Sequence, residues 1–183
     1  MVYEISNFLS KENCNELVKY FKNNTHKCRS LEHPLFNNRT ICVNDVDSLK
    51  CQKILRVFEF KATQAVSKLH DCESYVFMEH WDIVYWNTGM EMGAHRDNCI
   101  DYYSHADLSA RHYTAICYLN DDYSGGSTFF SEENKECTPE TGKLVTFKSE
   151  VEHGVNKVIS GDRYTLAMWF TRDENKIREK LYF

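Results

Sequence analysis

His95-Arg96-Asp97, answered downstream by His153 and then by Gly161-Asp162-Arg163-Tyr164-Thr165, is the stretch around which this chain is organised. Successive side chains of a β-strand point to opposite faces, so an H-x-D triplet on a strand brings His95 and Asp97 together and sends Arg96 away. With His153 as a third ligand the set becomes two imidazoles and one carboxylate. Such a set leaves adjacent coordination positions open and suits non-haem Fe(II) that must take a further ligand and O2. Arg163 carries a planar fork of donors that grips a carboxylate in bidentate fashion, which implies a dicarboxylate beside the metal. With eight histidines and 27 acidic residues in the chain, a lone H-x-D triplet would decide little. Four such residues in this order, set on strand-like runs, define a candidate site.

The runs around them read as strands. Arg163 to Phe170 alternates into Arg163, Thr165, Ala167 and Trp169 on one face and Tyr164, Leu166, Met168 and Phe170 on the other, the pattern of a buried strand. Tyr113 to Leu119 puts Thr114, Ile116 and Tyr118 on one face. Asn120 to Gly126 is a turn rich in residues that tolerate left-handed backbone, and strands at Ser127 to Phe130 and Leu144 to Phe147 follow. Tyr75 to Trp86 is aromatic and β-branched at period two and closes on Asn87-Thr88-Gly89. His80, within it, reads as a hydrogen-bonded core or rim histidine. Asn98 to Arg111 has little periodicity and leaves directly from Asp97. It reads as a lid over the open side of the metal, with Asn98, Tyr102 and Tyr103 as candidate substrate contacts.

Upstream the period changes to that of helices. Ser10 caps a first helix with Cys14, Leu17, Val18 and Phe21 on one face, ending at Asn23-Asn24. His26 and His33 fall in a loop, without partners at metal-ligand spacing, and a short strand follows at Arg39 to Val43. Asp45 or Asp47 is expected to cap the longest helix, whose Cys51, Ile54, Leu55, Phe58, Ala62, Ala65, Val66 and Leu69 make one apolar stripe suited to lie across a sheet. Many short strands preceded by two helices predict a mainly β, double-sheet fold with helical support on one side. The expected organisation is a single domain over 1–183, with helical support in 1–72 and a β core at about 75–171.

Composition sets the outer bounds. Lys plus Arg total 22 against 27 Asp plus Glu, a net charge of −5 with no dense basic run, so nucleic acid is not an expected partner. No apolar run approaches the roughly 20 residues that span a bilayer, and the first residues lack the pattern of a secretory signal. The expectation is a cytoplasmic protein without a membrane partner. Its eight cysteines, with no C-x-x-C pair, read as reduced thiols.

From Trp81 to Asp173 the sequence resembles the catalytic domain of 2-oxoglutarate-dependent prolyl hydroxylases, and most nearly the prolyl 3-hydroxylases. The strings that carry the likeness are His95-Arg-Asp-Asn-Cys99, Tyr118-Leu-Asn-Asp-Asp-Tyr-Ser-Gly-Gly126, His153-Gly-Val155 and Arg163 through Trp169-Phe-Thr171. The resemblance implies a distorted double-stranded β-helix, a cupin-like jelly roll, with the N-terminal helices packed on one sheet. It implies His95, Asp97 and His153 as iron ligands and Arg163 as the partner of the distal carboxylate of 2-oxoglutarate. It implies too that Tyr118 and Thr165 help to hold that cosubstrate, with Thr114 and Trp169, on the same strand faces, expected to line the same pocket. The implied activity is hydroxylation of an unactivated C–H bond, on a prolyl residue of a peptide or protein, with release of succinate and CO2. Fe(II), 2-oxoglutarate and O2 are the implied cofactors, and ascorbate a candidate reductant. The alternatives are the same chemistry on a free amino acid or small molecule, the same chemistry on lysyl residues, and a non-catalytic cupin-like binding module.

Overall fold

In a computed structural model, which describes residues 1–30, 39–72, 75–99 and 107–177, the chain runs through thirteen strands and two α-helices. In order they are β1 (Tyr3–Ile5), α1 (Lys11–Asn23), β2 (Arg29–Ser30), β3 (Arg39–Cys42), α2 (Leu49–Leu69), β4 (Phe77–Trp86), β5 (Met92–His95) and β6 (Tyr113–Tyr118). Then come β7 (Ser124–Gly125), β8 (Thr128–Phe130), β9 (Lys135–Cys137), β10 (Leu144–Lys148), β11 (His153–Val155), β12 (Val158–Ser160) and β13 (Arg163–Thr171).

Both helices begin at serines. The Ser10 hydroxyl accepts from the Asn13 N–H at 3.3 Å, Glu12 sits in the first turn and Lys22 in the last, where the helix dipole favours each. The cap of α2 is Ser48, which accepts from the Cys51 N–H at 3.4 Å, and not Asp45 or Asp47 as the sequence led us to expect. The reason is competition for the carboxylates. Asp45 pairs with Arg29 at 2.9 Å, while Asp47 takes Lys27 and the Tyr20 hydroxyl, so both are spent on joining the segment before α2 to α1 and the chain that follows it. The stripe of α2 is buried at Cys51, Leu55, Phe58, Ala62 and Val66, with Ile54 and Ala65 at its margins.

The strands form a seven-stranded antiparallel sheet in the order β1-β10-β6-β13-β4-β3-β2, a four-stranded sheet in the order β5-β11-β8-β9, and a small β12-β7 pair. The outer face of the large sheet meets the helices: Tyr164, Leu166, Met168 and Phe170 of β13 join Leu17, Phe21, Leu55 and Phe58 in one core. Each such side chain stabilises the fold by roughly 1.5–3 kcal/mol relative to exposure. The inner face meets the small sheet, with Ile116, Tyr118, Val145 and Phe147 packed against Phe130 and Cys137. These layers are the expected double-stranded β-helix with helices on one sheet.

Two departures from simple alternation matter. In β4 the partner of Trp169 is His80 and that of Phe170 is Met78, so Glu79 is an extra residue, a bulge that shifts the phase of the strand. Met78, Trp81 and Ile83 then face the helices, while His80 turns inward, bonded to Asp82 at 3.1 Å and stacked on Trp169. Further on, β5 stops at His95. Asp97 therefore lies beyond the strand, and the expected strand-borne pair is a strand residue followed by a turn residue.

His70 closes α2 against the sheet. Its Nε2 lies 3.2 Å from the Thr146 hydroxyl, and its ring packs between Tyr3 and Tyr113. Burial lowers its pKa to about 4. A histidine whose folded pKa is depressed leaves the unfolded chain binding more protons, so its contribution is complete above about pH 6.5 and is lost as pH falls toward 4. We expect the unfolding midpoint of the wild type to fall between these values more steeply than that of His70→Phe. Parallel curves from the two proteins would assign the acid limb to other groups. Among the described residues no helix is long and apolar enough to cross a membrane.

Candidate metal and carboxylate site

His95 and His153 are cross-strand partners on β5 and β11, so their rings come together, with centroids 4.4 Å apart, at one mouth of the inter-sheet space. Each Nδ1 faces a backbone carbonyl, Gly93 O at 3.1 Å and Val151 O at 3.0 Å. A carbonyl can only accept, so Nδ1 carries the proton and Nε2 offers its lone pair. Both Nε2 atoms lie 3.5 Å from Asp97, one at each carboxylate oxygen. One ligand atom from each of the three residues falls within 4.8 Å of the others. Two imidazole nitrogens and one carboxylate oxygen converging in this way fit a divalent metal.

Asp97 is positioned by the other sheet. Its N–H donates to Ser149 O at 3.0 Å, and Ser149 N–H in turn donates to His112 O at 3.0 Å. The Thr114 hydroxyl donates to Asp97 Oδ2 at 2.7 Å, which leaves the Ser149 hydroxyl to donate to Thr114 at 2.9 Å. Burial alone would raise the Asp97 pKa, but His153, His95 and the Thr114 hydroxyl together hold it well below the usual carboxylate range. Burial pushes His153 down. At His95 burial acts in the same sense but is outweighed by Asp97, which leaves that ring raised. Phe147 and Phe130 pack against His153 and make an apolar floor.

Arg163 opens β13 on the inner face and is 1% exposed. Its Nε donates to Gly126 O at 2.8 Å, and its guanidinium lies between the Tyr118 and Trp86 rings at 5.4 and 5.9 Å from their centroids. Among the described residues no carboxylate is within ion-pair distance of it. A buried charge without its opposite costs several kcal/mol, so the arrangement is that of a receptor for an anion. Thr165 follows on the same face, buried.

The structure thus brings together His95, Asp97 and His153, and sets Arg163, Tyr118, Thr165, Thr114 and Trp169 on the inner faces of β6 and β13. The Thr114 hydroxyl is spent on Asp97. The Tyr118 hydroxyl donates to Cys137 O at 3.3 Å and takes a hydrogen bond from Thr128 at 2.7 Å. Trp169 is half-buried between His80 and the Arg111 guanidinium, and its Nε1 has no hydrogen-bond partner. Asn98 follows Asp97 in the turn; Tyr102 and Tyr103 lie outside the described residues. Sequence reasoning missed Ser149, Thr128 and the function of Arg96. Arg96 does turn away from the metal, and there it donates to Glu150 O at 2.9 Å and pairs with Glu132 at 2.6 Å, tying down the Asp97 turn. Ser and Thr in strands are too ordinary for pattern alone to single them out.

Residues 81–171 match the 2OG-Fe(II) oxygenase superfamily. A prolyl 3-hydroxylase 1 of Gallus gallus is 43% identical over 70 residues, which covers 34% of this chain and 10% of the relative. The chain spans about a tenth of the length of the curated relatives it matches. A prolyl-4-hydroxylase of Pseudomonas putida is similar in structure, with a TM-score of 0.73, 18% identity, and coverage of 94% of this chain and 92% of that one. So is a Trichoplax adhaerens prolyl hydroxylase in complex with a hypoxia inducible factor peptide fragment, with a TM-score of 0.72, 16% identity, and coverage of 96% and 84%. At such identities the likeness is one of fold.

Replacing Thr114 by Val keeps its volume and removes the donor to Asp97. Partners of metal ligands set affinity by roughly 10–100-fold, and we expect a loss in that range when Co(II), a redox-inert probe, is titrated into Thr114→Val. Unchanged affinity would show that Asp97 is held without Thr114.

Proposed function

We propose, for a chain whose residues 81–171 are a 2-oxoglutarate/Fe(II)-dependent dioxygenase domain, that it hydroxylates a prolyl residue of a peptide or protein. The family's cofactors are Fe(II), 2-oxoglutarate and O2. When bound, they supply oxidative decarboxylation of 2-oxoglutarate to succinate and CO2, coupled to insertion of one oxygen atom into an unactivated C–H bond. The observation that carries the cosubstrate reading is Arg163, a buried guanidinium on the inner face of the large sheet with no carboxylate within ion-pair distance among the described residues.

In this reading His95 Nε2, Asp97 and His153 Nε2 hold the iron, and the backbone carbonyls at Gly93 and Val151 keep both rings in the ligating tautomer. Arg163 takes the distal carboxylate of 2-oxoglutarate. Gly126 O fixes its Nε, and the Tyr118 and Trp86 rings fix its plane, so the fork is set before the ligand arrives. Thr165 lies one alternation further along β13 and lines the same channel. The aromatic floor of Phe130 and Phe147 keeps water from the inner side of the metal. No side chain needs to act as acid or base. Toward the outer side, Trp169 offers an unpartnered N–H beside Arg111, which Glu79 orients at 2.9 Å. These groups are a fitting contact surface for an extended peptide, with Asn98 of the Asp97 turn nearby in sequence.

What supports the prolyl substrate is likeness: the 43% identity to a prolyl 3-hydroxylase over 70 residues, and a neighbour in fold solved with a peptide. We take residues 1–183 as one oxygenase domain, the helices stiffening the sheet that bears Arg163. Eight cysteines outside any disulfide fit a reducing compartment such as the cytoplasm.

His153→Ala should abolish both iron retention and turnover of 2-oxoglutarate. Arg163→Lys keeps the charge but loses the fork, and should weaken 2-oxoglutarate binding by about 1.5–3 kcal/mol. Unaltered affinity would place the carboxylate elsewhere. Incubation of a peptide library with Fe(II), ascorbate and 2-oxoglutarate should yield prolyl products heavier by one oxygen atom. Succinate formation stimulated by free proline and not by peptides would move the substrate to small molecules.

A further inference from the structure

Beside Arg163 lies a second donor that lacks an acceptor. Among the described residues two buried side-chain polar atoms make no well-formed hydrogen bond, the Trp169 Nε1 and the Tyr123 hydroxyl. Tyr123 stands in the turn between β6 and β7, half-buried, with its hydroxyl beside the Arg163 guanidinium. Two glycines make this approach possible. Gly126 has φ +65, and a Cβ there would fall 3.0 Å from both Tyr123 Cε2 and Arg163 Cδ; Gly161 has φ +84, and its Cβ would fall 2.9 Å from Tyr123 Cβ. Any larger residue at either position would push the ring away from the arginine.

We propose that the Tyr123 hydroxyl is a second donor to the carboxylate that Arg163 takes, so that the two residues together recognise the distal end of the 2-oxo dicarboxylate. The inference rests on the cosubstrate reading above. The phenol oxygen can accept from the guanidinium beside it, but the phenol proton then has no acceptor among the described residues; a carboxylate oxygen placed beside both groups satisfies both. Burial pushes the Tyr123 phenol up, and the opposing pull of Arg163 does not undo this, so the group keeps its proton. The other tyrosine against Arg163 is already engaged, since the Tyr118 hydroxyl donates to Cys137 O. Tyr123 is therefore the phenol beside the arginine whose proton is uncommitted.

The test compares wild type and Tyr123→Phe, both loaded anaerobically with Mn(II), by calorimetric titration with 2-oxoglutarate and with 2-oxopentanoate, which carries a methyl group in place of the distal carboxylate. Loss of one hydrogen bond to a charged group should weaken 2-oxoglutarate about tenfold in the variant and leave 2-oxopentanoate unchanged. The unfolding midpoint without either probe should change little in Tyr123→Phe, because the ring is kept and the hydroxyl proton has no acceptor among the described residues. Equal 2-oxoglutarate affinity in the two proteins overturns the proposal, as does an equal loss for both probes. If the wild type itself fails to bind 2-oxoglutarate, the cosubstrate reading falls and takes this inference with it.

Discussion

A buried carboxylate must be given partners or it will not stay ionised, and the partners of Asp97 come from both sheets. His95 and His153 belong to the four-stranded sheet; Thr114 belongs to the seven-stranded one, and Ser149 follows directly on its strand β10. Meeting the needs of one side chain therefore sews the sheets together at the mouth of the β-helix. The backbone takes part as well, since the Asp97 N–H and the Ser149 N–H continue the ladder across the gap as far as His112. Because Asp97 stands past the end of β5, it is free of the pleat and can turn inward to where the sheets converge. The geometry of the metal site and the closure of the fold are one set of hydrogen bonds.

The same economy governs Arg163. Its strand β13 is the centre of the large sheet, between β6 and β4, and its alternate residues serve two ends. Tyr164, Leu166, Met168 and Phe170 hold the helices; Arg163, Thr165 and Trp169 face the channel. A slip of one residue in register would exchange the two sets and bury the guanidinium under α1, so the apolar face fixes where the charge must stand. The tight turns then shape its surroundings. Gly125 at φ +73 brings the chain so close to Lys157 that a Cβ would fall 2.1 Å from its carbonyl oxygen, and the next residue supplies the acceptor for Arg163 Nε.

How much of this was legible in the sequence follows from which kind of order each feature depends on. The helix stripes and the alternation of β6 and β13 are properties of spacing, and spacing is what a sequence displays; the residue types His95, Asp97, His153 and Arg163 were legible in their order, though Asp97 joins the histidines from a turn and not from the pleat of β5. The Glu79 bulge was not legible, because an extra residue is visible only against the partner strand that skips it. Nor was the Ser48 cap. Asp45 and Asp47 are equally good caps in isolation, and they lose that place only because Arg29, Lys27 and Tyr20 reach them from afar in sequence. Ser149, Thr128 and Arg96 act through partners 35, 10 and 36 residues away. Such partners are set by topology and leave no local mark.

Elsewhere among the described residues the buried side-chain polar atoms have partners. Gln52 donates to Val46 O at 2.8 Å, Thr146 to Thr114 O at 3.0 Å, and Asn120 spans Asp162 O and the Tyr164 N–H. Local rules and the global fold agree at these places, which is the ordinary condition of a chain that specifies one structure. The exceptions among the described residues are donors: the Tyr123 hydroxyl beside Arg163, which meets no carboxylate there, and the Trp169 Nε1 further along β13. Random imperfection would scatter such groups and mix donors with acceptors. Arg163 and the Tyr123 hydroxyl instead stand together at the start of β13, where one anionic ligand would meet both, and the cost of leaving those donors unmet would become affinity when such a ligand binds.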